Sequence, residues 1–398
     1  MEKHFLDLYE MMPQVEGYIY PNELDLHWGI LIVLYPYITG LVAGAFILAS
    51  LERVFKVKVL KPTYTISLLT AFAFLLVATM PLISHLGQPL RFWEIMITPN
   101  GKSAMAIFGF IYLWYLMAVL LLEIWFDYRR DLVIWSQEKK GFLKYFYKVL
   151  SLGVSDISPK ALKWDDRLGY FITVIGIPSA FLLHGYVGFI FGSVKANPWW
   201  STVLMPVIFL FSAMVSGIAL VMVIYLVINY LRKTKIDLAC LDMIGKFLLV
   251  ALILDFTLEV LDQVHRFYEA EESMETISLL LKGPLKYTFF VFQIFLGTVV
   301  PLISLAVLQF WKPGSKIRQG IYFAIGILVL VGIFFMRWNV VIGGQLFSKS
   351  FHGFTDFKLN LIGSEGILMA IFWLVIPFFI LFVLLKLFPP WKKAEETI

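Results

Sequence analysis

Apolar runs of about twenty residues, separated by short polar segments, fill the chain from residue 27 onward. A helix rises about 1.5 Å per residue, so about 20 apolar residues cross the hydrocarbon of a bilayer. Nine stretches meet that length: 27–51, 64–84, 103–126, 168–192, 201–231, 244–261, 287–310, 321–343 and 366–388. The pattern predicts an all-α polytopic membrane protein with about nine transmembrane helices. Residues 277–285 are apolar as well, but Gly283 and Pro284 interrupt them, which predicts a short re-entrant or interfacial piece before the seventh span.

Two polar segments carry their own pattern. Within residues 2–12, Phe5, Leu8, Tyr9 and Met12 recur at helical spacing among acidic residues, as in a helix lying on a membrane surface or an arm that docks an outer subunit. Between spans three and four, Lys139, Lys140, Lys144 and Lys148 alternate with Phe142, Tyr145, Phe146 and Tyr147. That mixture suits an interfacial helix whose amines reach lipid phosphates.

Charge then orients the spans. Lys and Arg number 23 on the side reached after the odd spans and 10 on the other. Basic residues accumulate on the cytoplasmic side, so the N-terminus is expected outside and the C-terminus in the cytoplasm, in the inner (cytoplasmic) membrane of the cell. Residues 1–26 agree, with six acids against Lys3. The net charge of +5 is thus divided by membrane side rather than gathered in a patch, and no nucleic-acid partner is expected, only membrane lipids and protein subunits.

Composition removes several functions. With 60% hydrophobic and 15% charged residues, no large extramembrane catalytic domain fits, so no catalytic residues for a terminal substrate are expected. The single Cys240 excludes internal disulfides, a protein-ligated iron–sulfur cluster and a c-type haem attachment. All six histidines, His4, His27, His85, His184, His265 and His352, map to the outer side. A two-haem relay needs axial ligands near both faces, so no haem, iron–sulfur cluster or metal site is expected in this chain.

A weak internal repeat supplies the organisation. Residues 37–44 of span one and 212–219 of span five carry matching stripes of small residues. Span two leads into His85 and Arg91, span six into His265 and Arg266, and spans four and eight pair Tyr170-Phe171 and His184 with Tyr322-Phe323 and Arg337. Corresponding elements lie four spans apart, so the repeat is parallel. The expected divisions are an outer arm (1–26), a first four-helix bundle (27–192) with its cytoplasmic loop 127–167, a second bundle (193–343), and an outer loop, peripheral ninth helix and tail (344–398).

Ionisable groups inside spans are costly and therefore candidates for function. Glu123, Asp255 and Glu259 are the clear cases. Asp255 and Glu259 share one helix face, which Asp262 continues toward the outer surface. The plainer readings are a snorkelled ion pair for Glu123, which lies close to Asp127 and Arg129, and a hydrogen-bonded acid tying helices together for Asp255. At the outer level, His27, Trp28, Tyr35, His85, Arg91, His184, Tyr186, Arg337, Asn339 and Gln345 add donors and aromatic surface.

A lipid-soluble quinone accounts for this gathering. Its carbonyls accept from His and Tyr, its ring wants an aromatic wall, and its reduction needs protons that a carboxylate column can deliver. Quinone binding is therefore assigned to His27, Trp28, Tyr35, His85, Arg91, His184 and Tyr186, and proton transfer to Glu123, Asp255, Glu259 and Asp262. Arg337 and Asn339 are assigned to semiquinone stabilisation or to structure.

The motifs also resemble a family. His27-Trp28-Gly29 followed by residues 40–45 is similar to the first core helix of the membrane subunits of polysulfide reductase and NrfD, a family that includes hydrogenase membrane subunits. Residues 85–93 with Ser103 resemble its Asp-Leu-Gly-Arg-Pro signature, with His85 and Gln88 where the family has Asp and Arg. Asn197-Pro198-Trp199 with Met205-Pro206 and residues 209–213 matches a fifth-helix start, and residues 337–345 match a late outer motif.

The resemblance implies a quinone, such as menaquinone, at the outer face of the first bundle. It also implies a ferredoxin-like iron–sulfur subunit on that face and a catalytic subunit beyond it carrying molybdopterin, nickel–iron or several haems. The reading is a quinone-reactive membrane anchor of a respiratory oxidoreductase of sulfur, polysulfide or hydrogenase type, with proton conduction as a further role. Its rivals are a secondary transporter or proton channel, and a purely structural anchor.

Overall fold

The computed structural model describes residues 26, 28–268, 272–347, 354–355 and 357–392. His4, His27, His352 and the amphipathic segment 2–12 lie outside the described residues. Eleven helices organise the rest: α1 Ile30–Arg53, α2 Lys58–His85, α3 Ala104–Glu138, α4 Phe142–Leu150, α5 Pro159–Gly192, α6 Met205–Arg232, α7 Leu238–Tyr268, α8 Glu272–Lys282, α9 Tyr287–Phe310, α10 Ser315–Leu346 and α11 Ile367–Leu387. We call the end where α1 begins upper and the end where it finishes lower.

Helices are the expected outcome for such sequences, because in lipid every backbone polar group must be satisfied within its own segment. Eight of the helices, α1, α2, α3, α5, α6, α9, α10 and α11, are long and apolar enough to cross a membrane. The predicted sixth span falls in α7, which is 31 residues long but interrupts its apolar run with Asp255, Glu259 and Asp262. Its charges set it apart from the eight.

The expected loop 127–167 is largely helical instead. α3 continues to Glu138, α4 follows, and α5 starts at Pro159, where proline at the first turn and the Ser158 hydroxyl accepting from the Ala161 N–H both favour initiation. The polar lower ends of α3 and α5 escape a hydropathy window but not helix formation, since their charges pair with one another. α4 is the amphipathic helix expected there, with Phe142 and Tyr145 exposed and Tyr147 buried, the Tyr147 hydroxyl donating to the Leu387 carbonyl.

α1 and α6, the helices that the repeat relates, pack against each other at the centre. A Cβ on Gly44 would collide with the Ala213 carbonyl oxygen, and one on Gly217 with the Gly44 backbone, so only glycine permits this approach. α1 also packs on α2 and α5, while α6 packs on α7, α10 and α5. The related helices α3 and α9 both widen into π-type turns, over Trp114–Leu121 and Tyr287–Val299. α11 lies to one side against α2 and α1. The piece before α9 is the buried-faced helix α8, whose following Leu285 packs against Gly343.

Candidate functional site

The candidate residues do not form one cluster. They separate into a surface loop, an aromatic plug, a seam between α1, α5, α6 and α10, a cavity beside α7, and a charged knot at the lower end.

His85 and Arg91 belong to the surface. The His85 Nδ1 lies 2.8 Å from the Glu365 carboxylate just before α11. Arg91 is 61% exposed at its side chain and makes a two-pronged bond to Glu94, 2.7 and 2.8 Å. That guanidinium holds the Glu94 carboxyl below the usual carboxylate range. Both were expected at an outer quinone site; the structure puts His85, half-buried, at the end of α2 and Arg91 in the exposed turn that follows.

Trp28 caps the upper end. Its indole stacks on Trp200 at 5.4 Å and meets Phe191 edge-on, while its backbone N–H and carbonyl bond both ends of the Gln345 amide at 3.1 Å. Asn197 donates to the Gly344 carbonyl, and the Trp200 indole N–H donates to the Val340 carbonyl. A Cβ on Gly344 would overlap that indole, which explains the glycine there.

The seam holds the deepest charge. Arg337 is completely buried; it donates to the Ser212 hydroxyl (2.6 Å) and the Phe209 carbonyl (3.3 Å), and its guanidinium lies 3.9 Å from the centre of the Phe209 ring. It also bonds the His184 Nε2 at 3.0 Å. Arginine offers only donors, so Nε2 must accept and the ring hydrogen resides on Nδ1. That Nδ1 is buried without a partner. Gly40 makes the room: a Cβ there would stand 3.1 Å from the His184 ring. His184 and Arg337, which the repeat relates, thus meet face to face.

Tyr35 lies on α1 with 2% exposure, edge-on to Phe108 at 5.3 Å, and its hydroxyl has no hydrogen-bond partner. Tyr186 is half-buried beside Phe189.

Asp255 and Glu259 of α7 lie near enough to Arg337 for their charges to act on it. Asp255 is buried and its Oδ1 has no partner. Glu259 accepts from the Gln293 amide (3.2 and 3.3 Å), whose oxygen accepts from the Asn339 amide (2.8 Å). This chain lines a cavity of about 310 Å³ walled by Trp199, Phe256, Phe289 and Met336. Asp262 also reaches the cavity, but its carboxylate is engaged by Arg266 (3.0 Å) and by the Thr202 hydroxyl (2.5 Å). The Arg266 guanidinium continues to the Pro198 carbonyl. Asp262 therefore ties α7 to the segment before α6, whereas neither Asp255 nor Glu259 has a base in contact among the described residues.

Glu123 sits low in α3 with 1% exposure, so it does not snorkel. It accepts from the Thr173 hydroxyl (2.8 Å) and the Tyr64 hydroxyl (3.4 Å). The expected partner Arg129 instead pairs with Asp165 and donates to the Asp156 carbonyl. Arg53 takes Asp127 and Asp166.

Gln293, Ser212, Thr173 and Tyr64 were not singled out in the sequence. Gln293 could have been, as an amide in the middle of a long apolar run, where an unsatisfied polar group is expensive. The hydroxyls carry no such signal, since Ser, Thr and Tyr commonly bond their own helix or sit in interfacial belts.

Residues 21–349 match the family described as polysulphide reductase, NrfD. The sequence is 31% identical to the C subunit of selenate reductase from Mesobacillus selenatarsenatis, over 79% of this protein and 73% of that one. It is 26% identical to the C component of polysulfide reductase from Wolinella succinogenes, over 85% and 99%, and 25% identical to protein NrfD of Escherichia coli, over 81% and 96%. A multi-span protein with this match across most of its length belongs to the polysulphide reductase, NrfD family of integral membrane proteins.

Proposed function

We propose that the protein is the quinone-reactive membrane subunit of a multisubunit oxidoreductase. Relatives named as parts of polysulfide and selenate reductases support membership of such a complex. In this reading a ferredoxin-like iron–sulfur subunit docks on the upper, outer face, a catalytic subunit lies beyond it, and the C-terminus is cytoplasmic.

One observation carries the quinone assignment: buried donors with nothing to donate to stand in the upper half, among them the Tyr35 hydroxyl and the His184 Nδ1–H. A buried donor left unpaired costs about 1–3 kcal/mol, and a carbonyl-bearing ligand relieves that cost. Phe108 supplies aromatic surface beside Tyr35. A bound quinone supplies a carrier of two electrons and two protons. The protein's own residues orient its carbonyls through Tyr35 and His184, and Trp28 with Trp200 closes the upper end. Arg337 holds the His184 tautomer and sets the charge opposite Asp255 and Glu259. Those acids, with Gln293 and Asn339, form the proton route, which communicates with the cavity; Glu123 lies outside it.

Tyr35→Phe tests this reading cleanly. Removing an unpartnered hydroxyl should leave thermal stability equal or raised, while quinone-linked turnover of the purified complex falls about tenfold, the loss of about 1.4 kcal/mol of interaction, and sensitivity to quinone-site inhibitors weakens. Unchanged turnover and inhibition would remove Tyr35 from the site. The cavity beside Glu259 favours a second reading, a proton channel or transporter; proton flux through the reconstituted protein with no quinone present is the result that selects it.

A further inference from the structure

At the lower end a groove of about 1200 Å³ opens between the end of α6 and the start of α10. Lys233, Lys235 and Lys316 line it, and no acidic residue does. The acids nearby in sequence are committed elsewhere: Asp242 binds Arg318 (3.0 Å) and lies 3.8 Å from Lys312, and the Asp237 carboxylate caps the start of α7 through the Ala239 and Cys240 N–H groups. The three lysines form no ion pair among the described residues.

The turn that presents them is built rather than frayed. Lys233 takes left-handed backbone angles (φ 55°, ψ 34°), a conformation a non-glycine residue adopts only where its surroundings secure it. Here the Lys233 and Thr234 N–H groups bond the Tyr230 and Asn229 carbonyls, and the Thr234 hydroxyl donates to the Asn229 side chain at 2.6 Å. Lys233 and Lys235 thereby flank one side of the groove while Lys316 stands on the other. Above them the lining turns apolar, with Val227 and Phe323 39% and 41% exposed on what is otherwise a membrane-facing surface.

We propose that this groove holds an anionic phospholipid, its phosphate on Lys233, Lys235 and Lys316 and its acyl chains along Val227 and Phe323. A cationic floor beneath an apolar wall at a helix-bundle edge complements that molecule: the amines provide Coulombic attraction, of the kind juxtamembrane lysines exert on acidic lipid, and the apolar flank receives chains that a soluble anion lacks. The groove is independent of the quinone assignment, because none of its lining residues belongs to the upper site.

Native mass spectrometry of the full-length protein in detergent, titrated with phosphatidylglycerol or phosphatidylcholine, tests it. Phosphatidylglycerol should remain bound in preference to phosphatidylcholine, and inorganic phosphate should not displace it. The triple variant Lys233→Gln/Lys235→Gln/Lys316→Gln should bind phosphatidylglycerol on the order of a hundredfold more weakly, while the triple Lys→Arg variant keeps most of the affinity. Equal retention of both lipids, displacement by inorganic phosphate, or wild-type affinity in the Gln variant overturns the proposal. Should the triple Gln variant not fold, the single variant Lys235→Gln, in which phosphatidylglycerol binding must still drop severalfold, decides in its place.

Discussion

The Arg53 and Arg129 knot at the lower end and the Arg337 seam near the upper end handle buried charge in opposite ways. At the lower end acids and bases touch. Arg53 contacts Asp127 and Asp166 and also donates to the Tyr64 hydroxyl, and Arg129 pairs with Asp165. Gly169 is part of this arrangement, since a Cβ there would lie 2.6 Å from the Arg53 guanidinium. At the upper end Arg337 touches a histidine, a serine and an aromatic face, while its acidic counterparts Asp255 and Glu259 stand beyond contact distance. Charges that cancel in place hold helices together. Charges held apart, beside unpartnered donors and a cavity, leave room for a proton or a ligand to change the balance.

That contrast can be broken by mutation, and the largest effect should come from the lower end. Arg53→Ala removes the half-buried guanidinium that contacts Asp127, Asp166 and the Tyr64 hydroxyl and should cost about 2–3 kcal/mol of stability, seen as an earlier thermal transition in detergent, with turnover per folded molecule preserved. If instead turnover collapses while stability holds, the lower knot is functional and the contrast fails.

Next come paired substitutions of the two deep acids. Asp255→Asn changes a group whose Oδ1 has no partner, so stability should move by less than about 1 kcal/mol, yet quinone-linked turnover should fall at least about tenfold. Glu123→Gln keeps an acceptor for Thr173 and Tyr64 and should leave turnover within about twofold. A large fall for Glu123→Gln, or none for Asp255→Asn, would redraw the proton route. The tighter constraint is the ratio between the two, because both acids are buried and both substitutions are isosteric.

The smallest effect is expected at the surface. Arg91→Ala removes an exposed pair and should not shift the thermal transition measurably at neutral pH. Because Arg91 holds the Glu94 carboxyl low, whatever stability the pair contributes is present at neutral pH and is lost as the pH falls through the lowered Glu94 value. Wild type and variant should therefore converge in acid, and a difference that grows as the pH drops would contradict the assignment of that pair.

The comparison also shows where sequence reading succeeds. Apolar length found eight spans; the ninth expected stretch, 244–261, falls in α7, which Asp255, Glu259 and Asp262 interrupt. The small-residue stripes at Gly44 and Gly217 pointed to close helix contact because a side chain at either position is a local, predictable obstacle. The repeat related His184 to Arg337 but did not say that they would touch.

Other assignments needed the fold. Arg91 and Arg337 look alike as basic residues near the outer end of a span, yet one bonds its own neighbour in a surface turn and the other is buried against α5 and α6. Asp262 looked like the next step of an acid column until Arg266 and Thr202 closed on it. Gln293 entered the picture only because the π-widened α9 sets its amide between Glu259 and Asn339.

By itself the sequence determined which segments are helical and apolar, how many charges each carries, and which small residues permit contact. These are properties of single segments, set by side-chain hydrophobicity and by the obligation of the backbone to bond within its own helix. Only the tertiary structure decided which charges cancel and which donors stay unpaired. Pairing depends on distances of 3 to 4 Å between residues far apart in the chain, such as His184 and Arg337, 153 positions from each other, and no local pattern encodes such a distance.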